Sequence, residues 1–269
     1  AAFWLFIINE EKEKAFSSIN SLTIENEAQL QIINYNQLLA YVYFNEYEQA
    51  KILYENTEFS NFLFDSESGL ALIEFFQKHK EDKIVESILS KARSASDNSY
   101  YILAFTETLS AENGINSLKV TPYKQIAELF LRWSQSVQSQ DINTLNQSFY
   151  LSLANHADPT SSFLKFKLAN SLLDSENYEL SKEIFESIPS DDLFFMDSIV
   201  ENTYAIEQLK NDKLALEYVE DYIISGVKNA SLLKTYGSLQ RSQRLFAESI
   251  ESYTRAIEAA KKEVYTEAI

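Results

Sequence analysis

Two kinds of side chain in this sequence could carry acid–base or metal chemistry, namely two histidines and a pair of adjacent carboxylates. His79 and His156 fall in predicted surface turns, and neither has a second histidine three or four residues away. That spacing would place two metal ligands on one face of a helix. The sequence contains no cysteine, which excludes thiolate ligands and cysteine nucleophiles. We therefore predict solvated histidines and no metal site.

The adjacent carboxylates are Asp191 and Asp192, which could be read as a catalytic pair. Acidic side chains are also favoured at the start of a helix, because the first N–H groups of a helix lack partners within it. We predict that the two aspartates begin a helix over 193–209. With only four glycines, the chain has no phosphate-binding loop and no GxSxG elbow. The sequence thus predicts a protein without catalytic residues and without a cofactor.

The charge balance disfavours nucleic acid as a partner. The 23 Lys and Arg residues against 40 Asp and Glu residues give a formal net charge of −17. This charge repels phosphate backbones, and the basic residues are scattered rather than clustered. The longest apolar run, residues 1–8, is much shorter than the roughly 20 residues of a membrane-spanning helix. We predict that the partner is another protein or a peptide and that this chain does not span a membrane.

A packing pattern recurs along the sequence at a fixed spacing of 34 residues. Its three copies are Ala169, Ser181 and Phe185, then Thr203, Ala215 and Val219, then Gly237, Ser249 and Tyr253. Small residues let the two helices of a hairpin approach closely, and the large residue that follows fills the space before the next hairpin. A period of this length is typical of stacked helical hairpins, because one hairpin cannot bury its apolar face alone. The pattern predicts an all-α solenoid.

The predicted array covers the whole chain, 1–269, but is not uniform. Residues 1–93 hold N-terminal repeats, and residues 161–269 hold three repeats with a period of 34 residues. Between them, residues 94–160 break the register and form an irregular helical section. The helices expected there lie near 99–111, 122–138 and 142–154.

The last repeat resembles a tetratricopeptide repeat. Residues 233–257 match the pattern of that family through the small Gly237, through Phe246 at the start of the second helix, and through Ser249, Tyr253 and Ala256. Residues 166–189 are a second match and residues 47–54 a partial one. The resemblance implies a right-handed solenoid of antiparallel helix pairs.

Three further segments are similar in order and spacing to large alphaproteobacterial tetratricopeptide proteins. They are residues 150–154, 186–191 and 253–257. Members of that group often carry an export signal. This resemblance implies a place in the bacterial cell envelope or periplasm rather than in the cytoplasm.

In tetratricopeptide proteins the first helices of successive pairs line a concave groove that accepts a peptide or a partner helix. Carried over by register, the predicted partner-binding residues are Tyr35, Leu39, Tyr43, Phe163, Phe166, Tyr204 and Arg241. Aromatic side chains on such a surface act as interface anchors. The alternative is that several of these aromatic side chains pack within the solenoid itself.

The resemblance implies a non-catalytic protein–protein interaction scaffold, placed in a bacterial envelope assembly. An alternative is a module that regulates or recruits an enzyme whose catalytic domain lies outside this chain. A third hypothesis is self-association through the ends of the array, because Phe3, Trp4 and Phe6 form an apolar cluster near one end.

Overall fold

A computed structural model describes residues 2–61, 67–95, 119–138 and 144–267. Within these ranges there is no β-strand, and the predicted all-α helical-repeat fold is confirmed. The helices are α1 (Ala2–Ile8), α2 (Lys12–Asn20), α3 (Glu27–Tyr43), α4 (Tyr47–Glu55), α5 (Glu67–Lys78), α6 (Asp82–Ala95), α7 (Pro122–Gln138), α8 (Thr144–Ala157), α9 (Ser162–Asp174), α10 (Tyr178–Glu186), α11 (Phe195–Gln208), α12 (Asp212–Ile224), α13 (Ala230–Ser242) and α14 (Phe246–Glu267). None of the helices in these ranges is long and apolar enough to cross a lipid bilayer.

Helix contacts divide the chain into two units, residues 1–129 and 130–269. In the first unit α1 pairs with α2, α3 with α4, and α5 with α6, and α3 also touches α5. In the second unit α8 packs on α9, followed by the pairs α9–α10, α11–α12 and α13–α14. There each second helix touches the first helix of the next pair, and the first helices α9, α11 and α13 touch in sequence. Each unit is therefore built from helix pairs in chain order.

The predicted irregular section is described only in part. Helix α7 spans 122–138 as predicted, and α8 overlaps the helix expected near 142–154. The helix expected near 99–111 lies outside the described residues. The boundaries at residues 93 and 161 stay predictions.

Six of the turns within helix pairs contain a residue with left-handed backbone. These residues are Glu10, Asn45, Lys80, Glu176, Lys210 and Arg244, with φ between 56° and 63°. At the second of them, the Asn45 N–H donates to the Val42 carbonyl at 3.0 Å and the Glu46 N–H to the Tyr41 carbonyl at 2.8 Å. These two bonds form a Schellman cap, which satisfies carbonyls at the helix end and favours glycine at the left-handed position. The turns recur every 35 residues in the first unit and every 34 in the second.

Small residues bring the two helices of a pair into direct contact, as the sequence pattern predicts. The Ser181 hydroxyl donates to the Ala169 carbonyl at 2.8 Å, and the Ser249 hydroxyl donates to the Gly237 carbonyl at 2.7 Å. A Cβ atom on Gly237 would lie 3.1 Å from the Tyr253 ring and 3.3 Å from the Ser249 carbonyl oxygen. Both serine side chains are buried, so each hydroxyl needs the partner that the neighbouring helix supplies.

The apolar residues near the N-terminal end belong to the core. Trp4 is fully buried, and its Nε1 donates to Asn36 Oδ1 at 2.6 Å. The buried Phe3 ring lies edge-on to Trp4 and to Phe16, at 5.2 and 5.7 Å between centroids. The hypothesis that Phe3 and Trp4 form an exposed half-interface is therefore wrong, because α2 and α3 already cover them.

The left-handed turns lead to a stability prediction. We expect Lys210→Gly to raise the free energy of unfolding by about 1 kcal/mol, because a residue with a Cβ atom pays a steric cost in this conformation that glycine does not. Urea unfolding followed by circular dichroism measures the change. Lys234→Gly, at an exposed position inside α13, is the matched control and should lower stability by about 1 kcal/mol. A loss of stability in Lys210→Gly would contradict the assigned turn.

Candidate functional site

The predicted binding residues of the first unit differ in exposure. Tyr35 and Leu39 are buried, with 3% and 1% of their surfaces exposed. The Tyr35 ring packs edge-on against Phe59, with 6.2 Å between ring centroids. These two side chains serve the core and are not free to anchor a partner. Tyr43, one turn further along α3, is exposed.

The burial of Tyr35 and Leu39 has a cause that the sequence does not display. Their helix α3 packs against both α4 and α5. Helix α5 is itself almost wholly buried, because α7 returns to it through a buried hydrogen bond between Ser68 and Gln125 at 2.9 Å. The first helices of this unit therefore have less open surface than the repeat pattern implies.

In the second unit the first helices present a continuous surface, which we call the first-helix face. Residues 34 apart stand side by side on it, because α9 touches α11 and α11 touches α13. One row runs Asn170, Tyr204 and Ser238, and its neighbours include Val200 with Lys234 and Glu207 with Arg241. Tyr204 is 48% exposed at the middle of the face, and Arg241 is exposed at one side. The predicted residues Tyr204 and Arg241 thus lie on one accessible surface.

Phe163 and Phe166 form the aromatic end of this face. Their rings lie 5.6 and 5.4 Å from the Phe194 ring, and Phe166 also meets Phe185 at 5.8 Å. Both predicted residues are partly buried, so they contribute to the packing between α9 and α11 while keeping some surface open. The two readings that the sequence leaves open, anchor or core, both apply to them.

Carboxylates occupy the centre of the first-helix face, and the sequence-based list of site residues missed them. Burial raises the pKa of Glu201, and the nearby Asp197 and Asp174 raise it further by repulsion. Burial also raises the pKa of Asp197 and of Glu207. Asp197 and Glu201 stand seven and three residues before Tyr204, a helical spacing that could have identified them. A cation bound here would relieve the repulsion among these carboxylates.

The histidines and aspartates considered for catalysis have structural surroundings. The His79 ring stacks on Tyr47 at 4.3 Å and contacts Phe75 at 4.8 Å, so the prediction that it is solvated is wrong. His156 is exposed at the end of α8, as predicted. Asp192 accepts a hydrogen bond from the Phe194 N–H at 2.9 Å, just before α11 begins. It therefore caps the approach to a helix, which starts two residues later than predicted.

Within the described ranges no group of three or more His, Cys, Asp or Glu side chains is arranged to hold a metal ion. Next to His79, the Tyr47 hydroxyl donates to Glu81, and Lys51 Nζ lies 2.6 Å from the same carboxylate. Lys51 and Tyr47 lower the pKa of Glu81 by stabilising its charge. This network links the pair α3–α4 to the pair α5–α6 and is structural.

No protein-family model and no curated protein matches this chain. Among solved structures it is similar to one titled "Crystal structure of MamA", with 13% identity, a TM-score of 0.44, and coverage of 65% of this chain and 94% of the other. "MamA MSR-1 C2" has 8% identity, a TM-score of 0.43, and coverage of 87% and 98%. "Crystal structure of MamA protein" has 11% identity, a TM-score of 0.42, and coverage of 72% and 94%. All three TM-scores lie below 0.5, so the function proposed below rests on the residues of this chain.

The raised pKa of Glu201 predicts a pH-dependent stability. In the folded protein this carboxyl holds its proton more tightly than in the unfolded chain, so its ionised form costs stability above the folded pKa. We expect Glu201→Gln to raise the melting temperature at pH 7. The gain should shrink as the pH falls through the folded pKa towards 4, where the natural carboxyl takes up its proton.

Thermal unfolding at several pH values measures this difference. Glu183→Gln, at an exposed position on α10, is the matched control and should change the melting temperature little at any pH. A lower melting temperature for Glu201→Gln at pH 7 would show that the carboxylate is stabilised by a partner rather than repelled.

Proposed function

We propose that this chain is a non-catalytic protein-interaction scaffold of the tetratricopeptide type, which binds a partner peptide or helix on its first-helix face. The observation that carries the proposal is the half-exposed Tyr204, which stands between the acidic centre and the basic edge of that face. Tyrosine buries a large area at a low cost in conformational entropy, so it is a favoured interface anchor. The resemblance to alphaproteobacterial tetratricopeptide proteins places the partner in an envelope assembly.

The charges of the face suggest the chemistry of the partner segment. Glu201 and Asp197 favour a Lys or Arg side chain, whose charge would offset their mutual repulsion. Phe163 and Phe166 favour an apolar side chain, because their rings are partly open. Arg241, on the opposite side, favours an acidic group. An amphipathic segment with a basic residue near its centre satisfies all three positions.

Tyr43 is the proposed contact residue of the first unit. Ile32 is exposed on the same helix and would add apolar area. Tyr35 and Leu39 are left out because they are buried.

The proposal predicts that one substitution on the first-helix face abolishes most of the binding. Partners captured from the native organism with the natural chain should be lost or reduced with Tyr204→Ala. For a purified partner, calorimetry should show a dissociation constant about 30-fold higher, since an anchor tyrosine contributes roughly 2 kcal/mol.

Ile224→Ala is the matched control, because Ile224 is highly exposed at the end of the second helix α12 and does not lie on this face. Circular dichroism should show the same helix content in both variants. Equal binding by the natural chain and Tyr204→Ala would reject the first-helix face as the working surface.

A further inference from the structure

The second helix α14 carries an apolar stripe on its outer side. Phe246, Ile250 and Ile257 are 61%, 68% and 59% exposed. Their spacing of four and seven residues places them along one side of the helix. Ser249, Ser252 and Ala256 are buried on another side, where α14 packs against α13. Among the described helices, none covers the stripe. Three large apolar side chains this exposed on one helix side are characteristic of an interaction surface.

The preceding pair shows what such a stripe is built to accept. Leu216, Val219 and Ile223 of α12 stand 34 residues before Ile250, Tyr253 and Ile257. Val219 is fully buried, and Leu216 and Ile223 pack against the cluster to which α13 contributes Leu232, Tyr236 and Leu239. The same positions are therefore covered by a helix at α12 and open at α14. The covering helix uses apolar residues at positions i, i+4 and i+7.

The charges of the covered pair indicate the character of the helix that fits. Helix α13 contains Lys234 and Arg241 and no acidic residue. It lies against the acidic α12, where the Tyr236 hydroxyl donates to Glu220 at 2.9 Å. On α14 the exposed Glu251 and Glu258 follow one edge of the stripe, seven residues apart. Basic side chains on an incoming helix would meet these two carboxylates.

A second copy of this chain fits the stripe poorly. Two α14 helices packed antiparallel through the stripe would bring Glu251 and Glu258 of one copy to the same edge as those of the other. Like charges at such an edge oppose association. Each copy also carries a net charge of −17.

We propose that Phe246, Ile250 and Ile257 form a docking site for an amphipathic helix of another protein, one with apolar side chains at i, i+4 and i+7 and with Lys or Arg on the flank that meets Glu251 and Glu258. This site lies on a second helix and is separate from the first-helix face. It does not depend on the function proposed above.

The test uses the full chain and a synthetic peptide of residues 229–245, the segment that covers α12. The peptide holds Leu232, Tyr236 and Leu239 with the basic Lys234, Arg241 and Arg244 and no acidic residue. It carries Gly237→Ala to favour the helix. Fluorescence anisotropy of the labelled peptide measures binding. We expect the doubly substituted protein Ile250→Glu with Ile257→Glu to bind it at least tenfold more weakly than the natural chain. We expect Glu251→Lys with Glu258→Lys to weaken binding several-fold.

Ile224→Glu is the matched protein control, because Ile224 is also exposed but lies on α12. It should leave peptide binding unchanged. A second peptide, in which Lys234, Arg241 and Arg244 are each replaced by Glu, should bind at least tenfold more weakly than the first. Circular dichroism confirms that every variant is folded.

Three results would overturn the proposal. One is the absence of peptide binding to the natural chain. Another is equal binding by the protein with Ile250→Glu and Ile257→Glu, which would place the peptide elsewhere, for instance on α12 in exchange with α13. The third is a dimer in analytical ultracentrifugation that Ile250→Glu dissociates, because the stripe would then belong to a second copy of this chain.

Discussion

The structure of the second unit depends on the close approach of the two helices in each pair. Ser181 and Ser249 donate from one helix to carbonyl oxygens of Ala169 and Gly237 on the other, and all four residues lie where larger side chains would keep the helices apart. A buried hydroxyl without a partner costs about 1–3 kcal/mol, so these bonds favour one sliding position of the two helices over its neighbours. That position determines which sides of α9, α11 and α13 remain open.

The composition of the open side follows from this constraint. Residues 34 apart stand side by side on neighbouring first helices, so a carboxylate on one helix lies close to carboxylates on the same helix and the previous one. Glu201 is repelled by Asp197 and by Asp174, and burial adds to the cost of its charge. Groups that destabilise the free protein in this way are held ready for a cationic side chain, because binding removes part of a cost that folding has already incurred. The raised pKa values and the exposed Tyr204 therefore support the same surface.

The sequence predicted the parts of the fold that depend on local chemistry. Small residues at 169, 181, 237 and 249 identified the helix pairs, and the capping preferences around Pro122 led to correct bounds for α7. The sequence could not predict the burial of Tyr35 and Leu39, because α5 beside them is covered by α7 through Ser68 and Gln125, 57 residues apart. His79 was misjudged for a related reason, since Tyr47, on which it stacks, belongs to another pair. Asp197 and Glu201 were within reach of the helical period but were passed over because aromatic residues alone were taken as anchors.

A repeated structure gives the same residue position different roles along the chain. At α12 the positions of Leu216, Val219 and Ile223 help to build the core, whereas at α14 Ile250 and Ile257 are exposed. The sequence pattern that makes a good internal interface thus also makes an adhesive surface wherever the next helix is absent, and charge is the simplest means of limiting what adheres. Glu251 and Glu258 lie at the edge of the stripe, where they oppose self-association and favour basic helices, while the apolar residues supply affinity without selecting among partners. Packing and specificity are in this way assigned to different residues of one helix.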